Sequence, residues 1–145
     1  MISLINKTPN ILVIGDLMID HYLWGSSKRI SPEAPVQVIN IDNESKSLGG
    51  AGNVIQNLKA FGAKVDVISV VGDCEISSEL KELLNNINAG TQYLVSQRDR
   101  ISSKKTRIIA SQQQVVRYDC ESTDEINPKS QDSVLDIFKK IIKNY

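Results

Sequence analysis

Two patterns of apolar residues alternate along this chain. One is the continuous run typical of a buried strand, and the other is the three- and four-residue spacing typical of a helix. Residues 11–14 and 65–71 are nearly continuous apolar runs, which predict buried strands of a parallel sheet. Residues 91–95 predict a third strand. Between the strands, apolar residues spaced three and four apart predict two amphipathic helices, with Val54, Ile55, Leu58 and Phe61 in the first and Ile76, Leu80, Leu83, Leu84 and Ile87 in the second. This order predicts an α/β fold with a parallel sheet and crossover helices.

The ends of these helices are marked by residues that favour special backbone conformations. Gly62 follows the first apolar stripe, where a left-handed residue typically ends a helix. Asp73 or a nearby serine would cap the start of the second helix, and Gly90 lies beyond its end. Asn127 and Pro128 predict the start of a final helix, because asparagine caps helices and proline suits their first position.

The final helix has an apolar face and no predicted strand after it. Its apolar positions are Val134, Leu135, Phe138, Ile141 and Ile142, and the sequence stops at Tyr145. A helix with such a face normally packs on a sheet that the following strand extends. We therefore expect residues 1–145 to be part of a larger folding unit.

Two other segments predict strands of a different kind. Residues 22–47 are irregular and contain Pro32 and Pro35, which rule out a helix and favour an edge or a protruding flap. Residues 36–41 alternate between apolar and polar, as in a strand with one buried face. Residues 105–110 and 114–119 flank a short polar stretch and predict a hairpin.

Three glycines precede the first predicted helix and raise the question of a phosphate-binding loop. Gly49, Gly50 and Gly52 predict a loop that leads into a helix N-terminus and exposes backbone N–H groups to a ligand. A tight turn with a close helix contact explains the same residues equally well. A Walker loop is excluded because Asn53 follows Gly52 in place of lysine, and a dinucleotide fingerprint because Ile55 replaces its last glycine.

Composition and charge narrow the possible partners. The 145 residues are 41% hydrophobic and carry 17 basic and 17 acidic side chains, as expected for one soluble domain or part of one. A balanced charge gives no reason to expect nucleic acid or a membrane surface as partner. Cys74 and Cys120 fit no metal or redox spacing, which favours reduced thiols in the cytoplasm. We expect no metal site.

Acidic residues follow the first predicted strand. Asp16 comes directly after residues 11–14 and Gly15, and Asp20 follows four residues later. Ligands of open α/β sheets bind outside the carboxyl ends of the strands, where these carboxylates would accept hydrogen bonds from sugar hydroxyls or hold a cation. The alternative is that one of them caps a turn. His21, the single histidine, is expected to have a packing or surface role.

Several of these motifs together resemble those of the ribokinase-like (PfkB) family of carbohydrate kinases. They are Gly15-Asp16 with Asp20, Gly49-Gly50 with Asn53 opening a helix, and Gly72-Asp73 after the next strand. Within the family, residues 29–36 and the segment with Lys105, Thr106, Arg107, Gln113, Arg117, Tyr118 and Asp119 resemble the heptose 7-phosphate kinases. The resemblance extends from about residue 11 to the end of the sequence.

The resemblance implies a ribokinase-like parallel-sheet sandwich with a small β-rich lid over the sugar, formed by about residues 22–47 and 91–119. It implies ATP-dependent phosphorylation of the anomeric hydroxyl of D-glycero-D-manno-heptose 7-phosphate, a step in ADP-heptose and lipopolysaccharide core synthesis. Asp16, Asp20, Gly49, Gly50 and Asn53 would bind the sugar. The lid often forms a dimer contact in this family, so we expect a homodimer.

The sugar phosphate also needs a cationic partner. Arg107 and Arg117 are candidates, because a guanidinium group matches phosphate oxygens in a bidentate way. Solvent-exposed charges on a hairpin are an equally reasonable interpretation of the two arginines.

The sequence departs from the family in its catalytic motifs. The family's later Gly-Ala-Gly-Asp motif, which supplies the base, and its magnesium-associated Asn-x-x-Glu motif do not occur in these 145 residues. Residues 50–53 end in an amide, which cannot act as the base. We therefore expect the N-terminal part of a kinase domain without its ATP-binding part or catalytic residues, so that ATP and magnesium bind only the complete enzyme. The alternatives are a noncatalytic sugar-phosphate-binding or dimerisation module and another ribokinase-like sugar or nucleoside kinase.

Overall fold

The computed structural model describes residues 8–145 and contains two sheets and three α-helices within this range. In chain order the elements are β1 (Asn10–Ile14), β2 (Leu17–Ile30), β3 (Gln37–Gly50), α1 (Ala51–Ala60), β4 (Lys64–Gly72), α2 (Glu75–Asn86), β5 (Leu94–Gln97), β6 (Ser103–Ala110), β7 (Gln113–Cys120) and α3 (Pro128–Ile141), followed by a short 3-10 turn (Ile142–Asn144). The smaller sheet has the order β1-β4-β5 and is parallel. The larger sheet has the order β3-β2-β6-β7, with β2 and β6 parallel and the outer pairs antiparallel.

The parallel sheet and its helices form the core that the apolar pattern predicts. Val67 on β4, Ile55 on α1 and Leu80 and Leu84 on α2 are fully buried in one cluster. Burial of such side chains stabilises the fold by about 1.5–3 kcal/mol each. Strand β1 is only half-buried, because within residues 8–145 it pairs with β4 alone.

The predicted apolar stripe of the first helix is only partly buried. Ile55 and Leu58 pack on the core, but Val54 is 50% exposed and Phe61 is 87% exposed. The prediction was wrong for these two residues because Phe61 is the C-cap residue after the last turn of α1, and the side of α1 that meets the core is that of Gly52 and Ile55.

The helix ends agree with the sequence patterns at α1 and α3, and in part at α2. Gly62 has a φ of 83° after α1, and Asn127 caps α3 by accepting a hydrogen bond of 2.8 Å from the Ser130 backbone N–H. For α2, Gly90 lies beyond the end of the helix as predicted, but the N-cap is Cys74 in place of Asp73 or a serine, and the left-handed residue is Asn88, with a φ of 53°. An asparagine tolerates this conformation better than other non-glycine residues.

The larger sheet, which we call the lid sheet, differs in its bounds from the segments predicted from the sequence. Its strands cover residues 17–50 and 103–120, whereas the prediction gave 22–47 and 91–119. Strand β5, at the start of the second predicted segment, belongs to the parallel sheet. Pro32 and Pro35 lie in the turn between β2 and β3, where neither has to donate a ladder hydrogen bond.

Ion pairs connect the lid sheet to helix α2 on the face that packs on this helix (the inner face), where a buried histidine also forms a hydrogen bond. Glu79 of α2 lies 3.0 Å from Lys104 Nζ and 3.3 Å from Lys46 Nζ. His21 is buried, as a packing role requires, and its Nε2 lies 2.8 Å from a carboxylate oxygen of Glu44. Burial alone would raise the pKa of Glu79, but the hydrogen bonds from the two lysines outweigh it and lower that pKa.

We expect the Glu79 contacts to stabilise the fold at neutral pH and to stop doing so in acid. A carboxyl whose pKa is lowered on folding stabilises the folded state above its unfolded value of 4.5, and this stabilisation is lost as the pH falls through the folded value. Glu79→Gln should cost about 0.5–1 kcal/mol of unfolding free energy near neutral pH and almost nothing near pH 3. Urea unfolding at both pH values checks this, with Glu82→Gln on the same helix as the control. A pH-independent cost would contradict the expectation.

Candidate active site

The glycine-rich stretch is not a loop, contrary to the prediction. Gly49 and Gly50 are the last residues of β3, and Gly52 lies inside the first turn of α1. Gly50 is the N-cap of α1 with a φ of 56°, and the next backbone N–H, that of Ala51, donates a 2.9 Å hydrogen bond to the carbonyl of Asp16. The strand therefore turns directly into the helix at the point where β1 crosses into β2.

Glycine is required at this junction because the backbones approach closely. A Cβ atom on Gly50 would lie 2.7 Å from the carbonyl oxygen of Asp16, in addition to the strain of a positive φ. A Cβ atom on Gly49 would lie 2.9 Å from Met18 Cγ and would overlap the carboxylate of Asp20. Close packing thus explains both glycines, and it brings the start of α1 next to the two aspartates.

The first turn of α1 presents an exposed polar group beside this junction. Asn53 is exposed, and no side chain caps the helix N-terminus. Backbone N–H groups of a first helical turn lack intrahelical partners and favour negative or polar ligands.

Asp16 lies at the carboxyl end of β1, as predicted, and its side chain borders three adjacent clefts. The first cleft measures about 270 Å³ and is also lined by Met18, Arg100 and Ser103. The second, of about 500 Å³, includes Arg100 and Thr123, and the third, of about 110 Å³, lies between β1, β4 and α3. Arg100 and Thr123 were missed in the sequence because no motif distinguishes them from other loop residues.

We predicted that Asp20 lies just past the carboxyl end of β1, but it lies inside β2 on the lid sheet. The prediction failed because only Gly15 and Asp16 separate the end of β1 from the start of β2 at Leu17. Asp20 shares the half-buried outer face of the sheet with Tyr22 and Trp24, since alternate residues of a strand point to the same face.

Asp20 and Arg107 form an ion pair across the lid sheet. One guanidinium nitrogen of Arg107 donates to Asp20 Oδ1 over 2.5 Å, and each side chain is 22% exposed. The contact with Asp20 raises the pKa of Arg107. Arg107 is therefore held in place and is not a freely solvated charge, while Arg117, 50% exposed, lies 3.1 Å from Asp119.

A second group of charges on the same face was not predicted as part of the site. Lys105 Nζ lies 3.2 Å from Asp119 and 3.1 Å from Glu121. The hydrogen bond to Glu121 and then that to Asp119 raise the pKa of Lys105. Alternation along β6 placed Lys105 and Arg107 on one face, but their partners depend on strand pairing that the sequence does not show.

Comparison with known proteins places the chain among carbohydrate kinases. The family profile described as pfkB family carbohydrate kinase matches residues 8–142. The bifunctional protein HldE of Aliarcobacter butzleri is 59% identical over 142 residues, or 98% of this chain and 30% of that protein. The bifunctional protein HldE of Campylobacter fetus is 53% identical over 136 residues, or 94% of this chain and 29% of that protein. The chain thus spans about 30% of the length of the curated relatives it matches.

Solved structures show the same fold at low sequence identity. A carbohydrate kinase from Agrobacterium tumefaciens aligns with a TM-score of 0.62 at 21% identity, covering 78% of this chain and 36% of that chain. A ribokinase of Arabidopsis thaliana, solved with ribose and ATP, aligns with a TM-score of 0.58 at 14% identity, covering 80% of this chain and 36% of that chain. The fold is therefore ribokinase-like.

Proposed function

Because this chain belongs to the pfkB family of carbohydrate kinases, we propose that it is the acceptor-sugar portion of a kinase that uses ATP to phosphorylate the anomeric hydroxyl of D-glycero-D-manno-heptose 7-phosphate. Identities of 53–59% to bifunctional HldE proteins support a heptose kinase within a bifunctional protein. The proposed product is the 1,7-bisphosphate, on the route to ADP-heptose and the lipopolysaccharide core.

The observation that carries this proposal is the ion pair of Asp20 with Arg107 on the outer face of the lid sheet. Asp16 and Asp20 are proposed to accept hydrogen bonds from the sugar hydroxyls. Only one guanidinium nitrogen of Arg107 contacts Asp20, which leaves further N–H donors for the 7-phosphate. A sugar phosphate needs both a carboxylate and a guanidinium group, because its hydroxyls donate hydrogen bonds and its phosphate is anionic.

Arg117 is proposed as the second phosphate ligand. Arg107 and Arg117 are directly opposite each other in the register of β6 and β7. Such cross-strand pairs have Cβ atoms about 4.5–5.5 Å apart, and like charges in these positions repel. A phosphate bound between the two guanidinium groups would relieve this repulsion.

The junction of β3 and α1 is proposed to complete the sugar site. Gly49 and Gly50 let the end of β3 pass close to the Asp20 carboxylate and to the backbone carbonyl of Asp16, which places the start of α1 beside both aspartates. Asn53 would add an amide group from the first turn of α1. These roles rest on the position of the three residues beside the aspartates.

The ATP and magnesium that the family uses are assigned to the complete enzyme and not to this chain. Among residues 8–145, no three His, Cys, Asp or Glu side chains come together as metal ligands. No helix of this described part is long and apolar enough to cross a membrane. We propose that the reaction takes place in the cytoplasm, where ATP is supplied.

The proposed function is tested with the complete kinase that carries this sequence. Incubation with ATP, magnesium and D-glycero-D-manno-heptose 7-phosphate should give a new anomeric phosphate signal in phosphorus NMR. Ribose and adenosine serve as comparison acceptors and should react far more slowly. Preferential turnover of ribose or adenosine would contradict the heptose assignment, and absence of any kinase activity would favour a noncatalytic binding module.

We also propose that the lid sheet forms a homodimer. Both of its outer strands, β3 and β7, lack a partner on one side within residues 8–145, and exposed strand edges tend to pair. Exposed apolar side chains lie on the strands of this sheet, at Ile30, Ile41, Val115 and Val116, and on the turn between β2 and β3, at Val36. Exposed apolar side chains of this kind are typical of surfaces that bind another protein.

The dimer predicts a concentration-dependent mass in sedimentation experiments. Val116→Asp on β7 should shift the chain to monomer, because a buried unpaired charge in an interface is costly. Val54→Asp on α1 is the matched control, since Val54 is 50% exposed and Val116 is 46% exposed. A folded wild-type chain that stays monomeric at high concentration would count against the dimer.

A further inference from the structure

An aromatic stack supports the ion pair of the candidate site. The rings of Tyr22 and Trp24 stack with centroids 5.6 Å apart and planes at 16°. On the same face of the sheet, the guanidinium carbon of Arg107 lies 5.2 Å from the centroid of the Tyr22 ring. Tyr22 thus contacts both the arginine that pairs with Asp20 and the neighbouring aromatic ring.

The strand register explains why Arg107 needs this support. In the pairing of β2 with β6, Asp20 is opposite Lys105, and Arg107 is opposite Tyr22. Lys105 is directed to Asp119 and Glu121 on the far side of β6, so it leaves Asp20 to Arg107. Arg107 reaches Asp20 diagonally, and it does so from a position over the Tyr22 ring, where a cation is attracted to the face of the aromatic system.

The carboxylate of Asp20 is also confined on its other side. It packs against Gly49, where any side chain would overlap it. Arg107 and Gly49 together therefore fix the orientation of the two carboxylate oxygens. A group that holds Arg107 in place also holds Asp20.

We propose that Tyr22 is a positioning residue for the acceptor sugar, whose ring holds Arg107 against Asp20 and so preorganises the carboxylate. The proposal rests on the proposed function, because it assigns Asp20 to the sugar. This role requires the aromatic ring of Tyr22 but not its hydroxyl group, since a cation binds the face of a phenylalanine ring in the same way. Without the ring, Arg107 samples other rotamers and Asp20 must be ordered when the sugar binds, which weakens binding.

The test compares Tyr22→Leu with Tyr22→Phe in the complete kinase. Tyr22→Leu should raise the acceptor KM about five- to tenfold and leave kcat and the ATP KM within about twofold, because it removes an interaction made equally in the ground and transition states. Tyr22→Phe should keep the acceptor KM near the wild-type value. Tyr93→Leu is the matched control, since Tyr93 is also partly buried but lies outside the lid sheet.

The outcomes separate this inference from the proposed function. An unchanged acceptor KM in Tyr22→Leu, an equal loss in Tyr22→Phe, or a parallel loss in kcat and the ATP KM would each overturn the positioning role. The comparison uses whichever acceptor the wild-type kinase turns over, with heptose 7-phosphate tried first and ribose second. Turnover of ribose alone would therefore refute the heptose assignment while the effect of Tyr22 is still measured. A wild-type enzyme without kinase activity would overturn both.

Discussion

Asp20→Asn in the complete kinase is expected to weaken acceptor-sugar binding roughly 10-fold or more, at about 1.4 kcal/mol per decade. The carboxylate can accept two sugar hydroxyl hydrogen bonds, and bonds to a charged group contribute about 1.5–3 kcal/mol each. Asparagine keeps the shape but turns one acceptor into a donor. It also removes the negative charge that holds Arg107 in place. The substitution therefore disturbs the proposed phosphate-binding residue as well as the residue that binds the hydroxyls.

Binding of ATP should hardly change in this variant. The nucleotide site is proposed to lie outside the 145 residues, and Asp20 is on the lid sheet. Isothermal titration of sugar and nucleotide separately measures both effects, with Asp42→Asn on the exposed part of β3 as the control. Intact sugar binding with lost ATP binding would show that the sugar-binding and nucleotide-binding parts of the site are assigned the wrong way round.

The 145-residue chain on its own is expected to show no ATP-dependent sugar kinase activity. Phosphoryl transfer depends on positioning and charge stabilisation of the transferring group, and a base must accept the hydroxyl proton. The sequence contains no Gly-Ala-Gly-Asp motif, and the similar residues 50–53 end in Asn53. The amide of Asn53 cannot accept this proton.

A coupled assay for ADP release checks this expectation, with the complete kinase measured in parallel. Circular dichroism of the same sample establishes that the chain is folded during the assay. Robust ATP-dependent turnover of heptose 7-phosphate by the folded 145-residue chain would contradict the division of the active site that we propose.

The elements of the parallel sheet could be predicted because their signals are local. Strands β1 and β4 are apolar runs, and α2 and α3 have apolar residues at helical spacing, so short segments sufficed to identify them. The exposed Val54 and Phe61 could not be predicted, since their burial depends on which side of α1 meets the core. Helix periodicity identifies a stripe but not how much of it is covered.

The candidate site was harder to predict because its contacts join distant segments. Asp16 was placed correctly, since a polar residue after a buried strand lies at the ligand-binding edge of the sheet. The Asp20–Arg107 pair joins residues 87 positions apart and exists only because β2 pairs with β6 in parallel. Neither residue carries a local signal of that pairing, and a register shift of one residue would turn Arg107 to the opposite face.

The most direct test of the account is to titrate the folded 145-residue chain with D-glycero-D-manno-heptose 7-phosphate and, separately, with ATP and magnesium. Trp24 is the single tryptophan of the sequence and stacks on Tyr22 beside Arg107, so its fluorescence should report sugar binding. Calorimetry gives the stoichiometry and affinity. We expect saturable binding of one sugar phosphate per chain with a change in Trp24 emission, and no binding of ATP. Saturable ATP binding without sugar-phosphate binding would contradict it.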